Sequence, residues 1–180
     1  MGGVRLLQWL APAVERVEVD WDVVFREELP RVYRFFRYRV GDRTAAEDLT
    51  SRTFEKAWRA RGRYRRDRAA VSTWLLAIAR NVAIDHFRRA RPEVALEDAN
   101  PRDDETPERA AVRQAELRRL SALLGALPPR ERELLALKYG GGATNRAIAK
   151  LTGLSESNVG TILHRTVAAL RAAWDEGGAP

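Results

Sequence analysis

The chain has 180 residues, 45% of them hydrophobic, with five Trp and no Cys, and its 32 Lys+Arg against 25 Asp+Glu give a net charge of +7. That content suffices for one ordinary domain or two small ones with packed cores, and it excludes a disulfide scaffold and any Cys-based metal or redox site. The basic balance favours an acidic partner such as nucleic acid or an anionic surface. Near the N-terminus, "VRLLQWLAPAV" is a short apolar run interrupted by Gln8 and without the strongly basic flank of a secretory signal. Other apolar stretches fall far short of a membrane span, so a soluble, intracellular protein is expected, with no membrane insertion.

From Trp21 to Arg91 apolar residues recur at spacings of three and four among Ala, Leu, Arg and Glu, which is a helical pattern. A first helix is expected around Val23 to Arg39, with Phe25, Leu29, Val32 and Phe36 on one face. Gly41 and Asp42 punctuate before a second, from about Thr44 to Arg61, which brings Leu49, Thr53, Ala57, Phe54 and Trp58 to one side. After the polar loop "GRYRRDRAAV" a third is expected from Ser72 to about Arg89, with Ser72 or Thr73 as its cap.

Residues Pro92 to Leu117 hold three Pro, three Arg and eight acids, a net charge of −5 that leaves +12 on the rest of the chain. Such a segment is poor core material and reads as a flexible acidic linker between two basic modules, with a new helix starting near Arg109. The organisation expected is therefore an N-terminal extension (1–20), a first helical module (21–91), the linker (92–117) and a second helical module (118–175). In that last module "LPPRERELLALKY" puts Pro128 and Pro129 at a helix start, where a missing N–H costs nothing, and "YGGGA" reads as a turn.

The stretch "NRAIAKLTGLSESNVGTILHRTVAALR" has the spacing of a DNA-binding helix-turn-helix. Ile148 and Ala149 lie on the first helix, Gly153 takes the left-handed turn, Ser155 caps the second helix, and Leu154, Val159 and Ile162 lock it. Glu156, Ser157, Asn158, Thr161, His164 and Arg165 are left exposed; Asn and Arg suit base edges, Ser and Thr suit phosphates. The bland alternative is a helical hairpin that merely packs.

Between Arg59 and Arg91 lie ten Arg and two acids, interleaved with Tyr64, Trp74 and Phe87, a composition suited to unstacked nucleic acid. Against that, a charge run is usually a solvated face, and Trp74, Ile78 and Val82 at helical spacing are ordinarily core. Enzymatic signals are sparse. His86 and His164 are far apart, no phosphate loop or nucleophile elbow occurs, and the adjacent acids Glu47 and Asp48 diverge on a helix. No catalysis, metal or cofactor is expected.

"AAEDLTSRTFEKAW", then "STWLLAIARNVAIDHFRR", an acidic linker, "LPPRERELLALKY" and the helix-turn-helix follow one another in an order that resembles the extracytoplasmic-function sigma factors of bacteria, within the primary-sigma-like (sigma-70) family. The resemblance covers roughly residues 21 to 174 and implies an all-α fold of two small modules. It implies core RNA polymerase as partner, through the β′ clamp and the β flap, with Asp48, Leu49, Arg52, Phe54 and Trp58 facing the polymerase. It implies a promoter minus-ten contact to separated strands by Arg63, Arg65, Arg66, Asp67, Arg68 and Trp74 on the loop side, and by Arg80, Asn81, Asp85, Arg88 and Arg89 on the following helix. The helix-turn-helix residues named above would read the minus-thirty-five element as duplex, and many relatives are held by an anti-sigma protein. Cytoplasmic location follows from that role.

Three departures from the family's pattern stand out. Arg52 and Ala147 replace residues that are often acidic, and Val159-Gly160-Thr161-Ile162 replaces Val-Lys-Ser-Arg, with weaker duplex affinity or a shifted preference expected. Gly160 also lowers helix propensity by up to ~1 kcal/mol relative to Ala. The rival from another class is an autonomous helix-turn-helix regulator, which leaves residues 21 to 91 unexplained; a structural or RNA-binding helical protein and a nucleic-acid enzyme stand further off.

Overall fold

The computed structural model describes residues 19–89 and 107–177; residues 1–18 of the extension, most of the acidic linker and the last three residues lie outside them. Regular structure among the described residues is entirely helical. Helix α1 spans Trp21–Val40 and starts where the Asp20 carboxylate accepts the backbone N–H groups of Asp22 and Val23 at 3.0 and 3.1 Å. Its buried face is Val24, Glu28, Val32, Phe35, Phe36 and Arg39, about one residue round from the face expected. Phe25 is 49% exposed and Leu29 half-buried, because α1 is packed from two sides and its core stripe bisects them.

Helix α2, Arg43–Ala60, is capped by Asp42 and buries Leu49, Thr53 and Ala57. Phe54 and Trp58, expected on the same side, lie on its flank toward α1, Phe54 half-buried and Trp58 exposed. A 3-10 turn, Arg61–Arg63, and a loop lead to α3, Val71–Arg89. The Trp74 N–H already bonds the Ala70 carbonyl at 3.1 Å, so Ser72 and Thr73 sit inside the first turn and do not cap it.

The second module opens with α4, Pro107–Ala126, so residues 107–117 of the expected linker are helical. Helix α5, Pro129–Leu135, starts with Pro128 as cap and Pro129 at its first position, then widens into a π-helical turn, Ala136–Gly140, closed by the Gly141 N–H on the Ala136 carbonyl at 2.8 Å. Helices α6, Asn145–Thr152, and α7, Glu156–Glu176, form the helix-turn-helix. Arg119 of α4 stacks 4.4 Å from the Trp174 ring centroid and donates to the Trp174 carbonyl, tying α4 to α7.

The two modules are docked on each other. Buried Val32, Phe35 and Leu76 of the first and Leu134, Leu137 and Ile148 of the second belong to one continuous apolar core. Gly140 permits this approach: a Cβ there would lie 2.8 Å from the Arg34 carbonyl oxygen and from the Phe35 Cα. The segment expected as a plain turn is thus also the contact point between modules.

Candidate nucleic-acid and polymerase interface

Helix α2 presents an outward stripe in which Asp48 and Arg52 are about half exposed and paired across one turn at 2.9 Å. Leu49, expected to face a partner with them, is 1% exposed; it faces the helical core and holds the stripe in place from behind. Trp58 is exposed on the flank toward α1, and the Arg61 guanidinium stacks 3.9 Å from its ring centroid.

The loop between α2 and α3 is tightly organised. Arg65 grips Asp67 with two hydrogen bonds of 3.1 Å, and this hydrogen bonding to Arg65 holds the Asp67 carboxyl below the usual carboxylate range. The Tyr64 hydroxyl donates to the Ala69 carbonyl at 3.0 Å and closes the loop. Trp21, Tyr64 and Trp74 form a ring cluster with centroids 5.1 to 6.1 Å apart, so half-buried Trp74 backs the loop instead of projecting from it. Arg63, Arg66 and Arg68 are exposed and, among the described residues, outside any ion pair.

On α3, Asn81, Asp85 and Arg88 share one open stripe at helical spacing, with Arg88 bound to Asp85 at 3.2 Å and Arg89 exposed beside them. Arg80 lies about a quarter turn away and points into the module junction. Its Nε sits 2.9 Å from the Glu133 carboxylate of α5, an ion pair whose N–H is not aligned as a hydrogen bond, with both side chains largely buried. Arg39 faces the same carboxylate, and Arg132 lies beside Arg39. Burial pushes the Arg39 guanidinium down, Glu133 opposes that, and Arg132 and Arg80 add to the fall; burial lowers Arg132 as well. Arg132 Nε donates to the Tyr38 carbonyl at 3.1 Å, while Arg39 stacks 4.4 Å from the Phe87 ring with its Nε unpartnered. Arg80 and Arg39 therefore face one carboxylate beside Arg132, and Arg80, expected to face DNA, is turned into the module junction in this structure.

The helix-turn-helix matches its expected local chemistry. Gly153 has φ +76°, and the Ser155 hydroxyl accepts the Asn158 N–H at 3.2 Å. Ile148 and Val159 are fully buried; Ile162 is only half-buried, and Leu163 and Thr166 complete the lock. Glu156, Ser157, Asn158, Thr161, His164 and Arg165 are all exposed along the start of α7. A Cβ on Gly160 would stand 3.6 Å from the Asn145 amide nitrogen, ordinary contact, so its lack of a side chain leaves open a cleft of about 330 Å³ bordered by Lys138, His164 and Arg171.

Sequence reasoning missed two groups. A cleft of about 450 Å³ between α2 and α3 gathers Arg52, Lys56, Arg59, His86 and Arg89, where Lys56 reaches Asp85 at 3.7 Å; four-residue spacing of Arg52 and Lys56 was the only signal for it. The junction set Arg39, Arg132, Glu133 and Gly140 had none, since its members are distant in sequence. Among the described residues no His/Cys/Asp/Glu cluster could hold a metal, and no helix is long and apolar enough to cross a membrane.

Residues 24–93 match the family model Sigma-70 region 2, and residues 117–170 match Sigma-70, region 4. The chain is 35% identical to the ECF RNA polymerase sigma factor BldN of Streptomyces coelicolor over 77% of its own length and 54% of that protein. It is 32% identical to the ECF sigma factor RpoE of Cereibacter sphaeroides, covering 86% of this chain and 84% of the relative, and 28% identical to SigM of Bacillus subtilis over 87% and 96%. In fold it is similar to the sigma factor RpoE of Bartonella quintana, solved with the anti-sigma factor NepR, at TM-score 0.71 and 19% identity over 87% of this chain and 97% of that one. CnrH, solved with the cytosolic domain of CnrY, aligns at TM-score 0.60 and 25% identity over 87% and 86%. With both regions present in order on an all-helical frame, the chain belongs to the sigma-70 family as an ECF sigma factor, a protein that directs RNA polymerase to promoters.

Proposed function

We propose that residues 21–91 dock on core polymerase through Asp48, Arg52, Phe54 and Trp58, and hold the melted minus-ten element with the loop arginines and the open stripe of α3. Flipping a base out of duplex costs a few kcal/mol, and stacking at roughly 1 to 3 kcal/mol per base with phosphate contacts offsets it. In this reading Arg63, Arg66 and Arg68 meet phosphates, the Arg65–Asp67 pair shapes the loop, and Trp74 supports it. Asn81, Asp85, Arg88 and Arg89 follow the separated strand. Residues 118–175 read the minus-thirty-five element as duplex, with Asn158 and Arg165 toward base edges and Ser157, Thr161 and His164 toward backbone. The acidic linker spans the two, and the protein acts in the cytoplasm without catalysis of its own.

The single observation that carries this reading is that one chain exposes two chemically different faces: Asn81/Arg88 with the loop arginines, and the polar first turns of α7 ending in Arg165. Arg80 joins the first face only after its pairing with Glu133 is broken, so promoter opening requires the modules to separate. An inhibitor that grips both modules would hold them docked, and the similarly folded sigma factor solved with the anti-sigma factor NepR makes that class of partner the one to seek.

The test is transcription from a genomic promoter library with purified core polymerase, with and without this protein. Transcripts that start downstream of a shared two-part motif only when it is added support the assignment. An active core enzyme that gains no new start sites overturns it.

A further inference from the structure

Between α1 and α2 runs an apolar groove of about 410 Å³. Buried Val24, Ala57 and Leu75 form its floor, and Phe25, Phe54 and Trp58 its walls, with the Phe25 and Phe54 rings edge to face at 4.8 Å. Phe25 and Trp58 remain 49% and 53% exposed, and an open aromatic groove of this kind calls for a covering group. Asp22 and Glu55 stand on its rim with Ser51.

We propose that residues 4–14 of the same chain, VRLLQWLAPAV, dock in this groove and cover Phe25, Phe54 and Trp58. Three observations select that occupant. The first is position: the chain enters α1 through half-buried Val19 and Trp21, and Trp21 itself lines the groove, so the preceding residues depart from its edge. Residues 15–18 span up to roughly 13 Å when extended, enough for the apolar run to turn back onto the groove it has just left.

The second is pattern. Leu6, Leu7, Leu10 and Val14 recur at spacings of three and four, the anchor spacing of a segment laid into an apolar groove. The third is charge: residues 4–14 carry Arg5 and no acid, and the groove's rim carries Asp22 and Glu55. A tethered segment also acts at an effective concentration on the order of millimolar, so weak docking suffices for high occupancy. Phe54 and Trp58 are among the residues proposed to meet polymerase; if that assignment holds, the segment competes with polymerase for them. The competition rests on the proposed function, and the docking does not.

The absence of Cys makes engineered thiols unambiguous reporters. Ser51→Cys on the groove rim would be combined in the full chain with Leu6→Cys, Leu7→Cys or Leu10→Cys, and the same three positions paired with Lys150→Cys on α6 as the reference. Treatment with a short bis-maleimide should give an intrachain link to position 51 at least tenfold faster than to position 150, independent of protein concentration. Equal rates overturn the proposal. A linked dimer whose yield rises with concentration overturns it too, and assigns the groove to a second copy. Deletion of residues 2–14 then reads the consequence: about tenfold tighter binding of core polymerase supports competition, whereas a clear intrachain link with unchanged polymerase affinity supports docking and removes Phe54 and Trp58 from the polymerase contact.

Discussion

The two helices proposed to face nucleic acid are held in opposite ways. The reading face of α7 is open from its first turn, every expected contact residue exposed and the helix locked from behind by Val159 and Leu163. The corresponding face of α3 is divided. Asn81 and Arg88 are open, while Arg80 is buried against Glu133 in a junction with three guanidinium groups and one carboxylate. A run of arginines in sequence is therefore not one surface: a quarter turn of helix separates a solvated cation from one engaged across modules. On the proposed function, the duplex-reading helix is ready as folded, and the strand-holding helix is completed by opening.

The largest expected effect tests which residues of α2 are frame and which are surface. Leu49→Ala empties a fully buried site and should cost about 2 to 5 kcal/mol of stability, read as a fall in the denaturant midpoint. Arg52→Ala, on the exposed stripe, should change stability by less than about 0.5 kcal/mol and yet weaken polymerase binding. If Arg52→Ala leaves polymerase binding intact, the outward stripe is not the docking surface.

Gly140→Val comes next, because its side chain would drive against the Arg34 carbonyl and the Phe35 Cα instead of a movable side chain. Overpacking costs of roughly 1 to 3 kcal/mol should fall on the docked state, and small-angle scattering should show a larger radius of gyration with helicity retained. An unchanged radius would mean that the junction absorbs the group and does not depend on close approach at Gly140.

Glu133→Gln isolates the electrostatic half of the same junction. It removes the carboxylate that pairs with Arg80 and faces Arg39, leaving both beside Arg132, and losing a partner for buried charge costs about 1 to 3 kcal/mol. The modules should separate more readily, and binding to single-stranded minus-ten DNA should strengthen as Arg80 is released. Weaker binding instead would show that Arg80 is positioned for DNA by Glu133 and not withheld by it.

These junction residues also mark where the sequence stopped being legible. Spacings of three and four located α1, α2 and α3 to within two residues, and Pro128, Gly153 and Ser155 mark helix ends through backbone chemistry that is local by nature. Phe25 was misplaced because a helix wedged between two partners centres its core stripe between them, which one-sided periodicity does not reveal. Arg80 and Glu133 each sit in a charged stretch that looks solvated, and Gly140 in a cluster that looks like a turn; only tertiary docking brings them together. Asn158 and Arg165, on a capped helix, are exposed as expected, whereas the exposure of Arg80 depends on which side of α3 faces the other module and had no local signature.

The smallest effect sharpens the open side of the comparison. Ser155→Ala removes the hydroxyl that accepts the Asn158 N–H at 3.2 Å and should cost about 1 kcal/mol, fraying the first turn of α7 and loosening duplex binding with it. Ser155→Asp separates the two consequences. Aspartate caps a helix as well as serine and its charge suits the helix dipole, so stability should return to that of the parent or above it. If the N-terminus of α7 meets phosphate, the same carboxylate repels the duplex, and affinity should stay low in spite of the restored fold. Calorimetry and a duplex-binding titration on the two variants would show stability and affinity parting company. A Ser155→Asp variant as stable as the parent and binding duplex equally well would move the first turn of α7 away from the DNA backbone, leaving Thr161, His164 and Arg165 as the face that reads it.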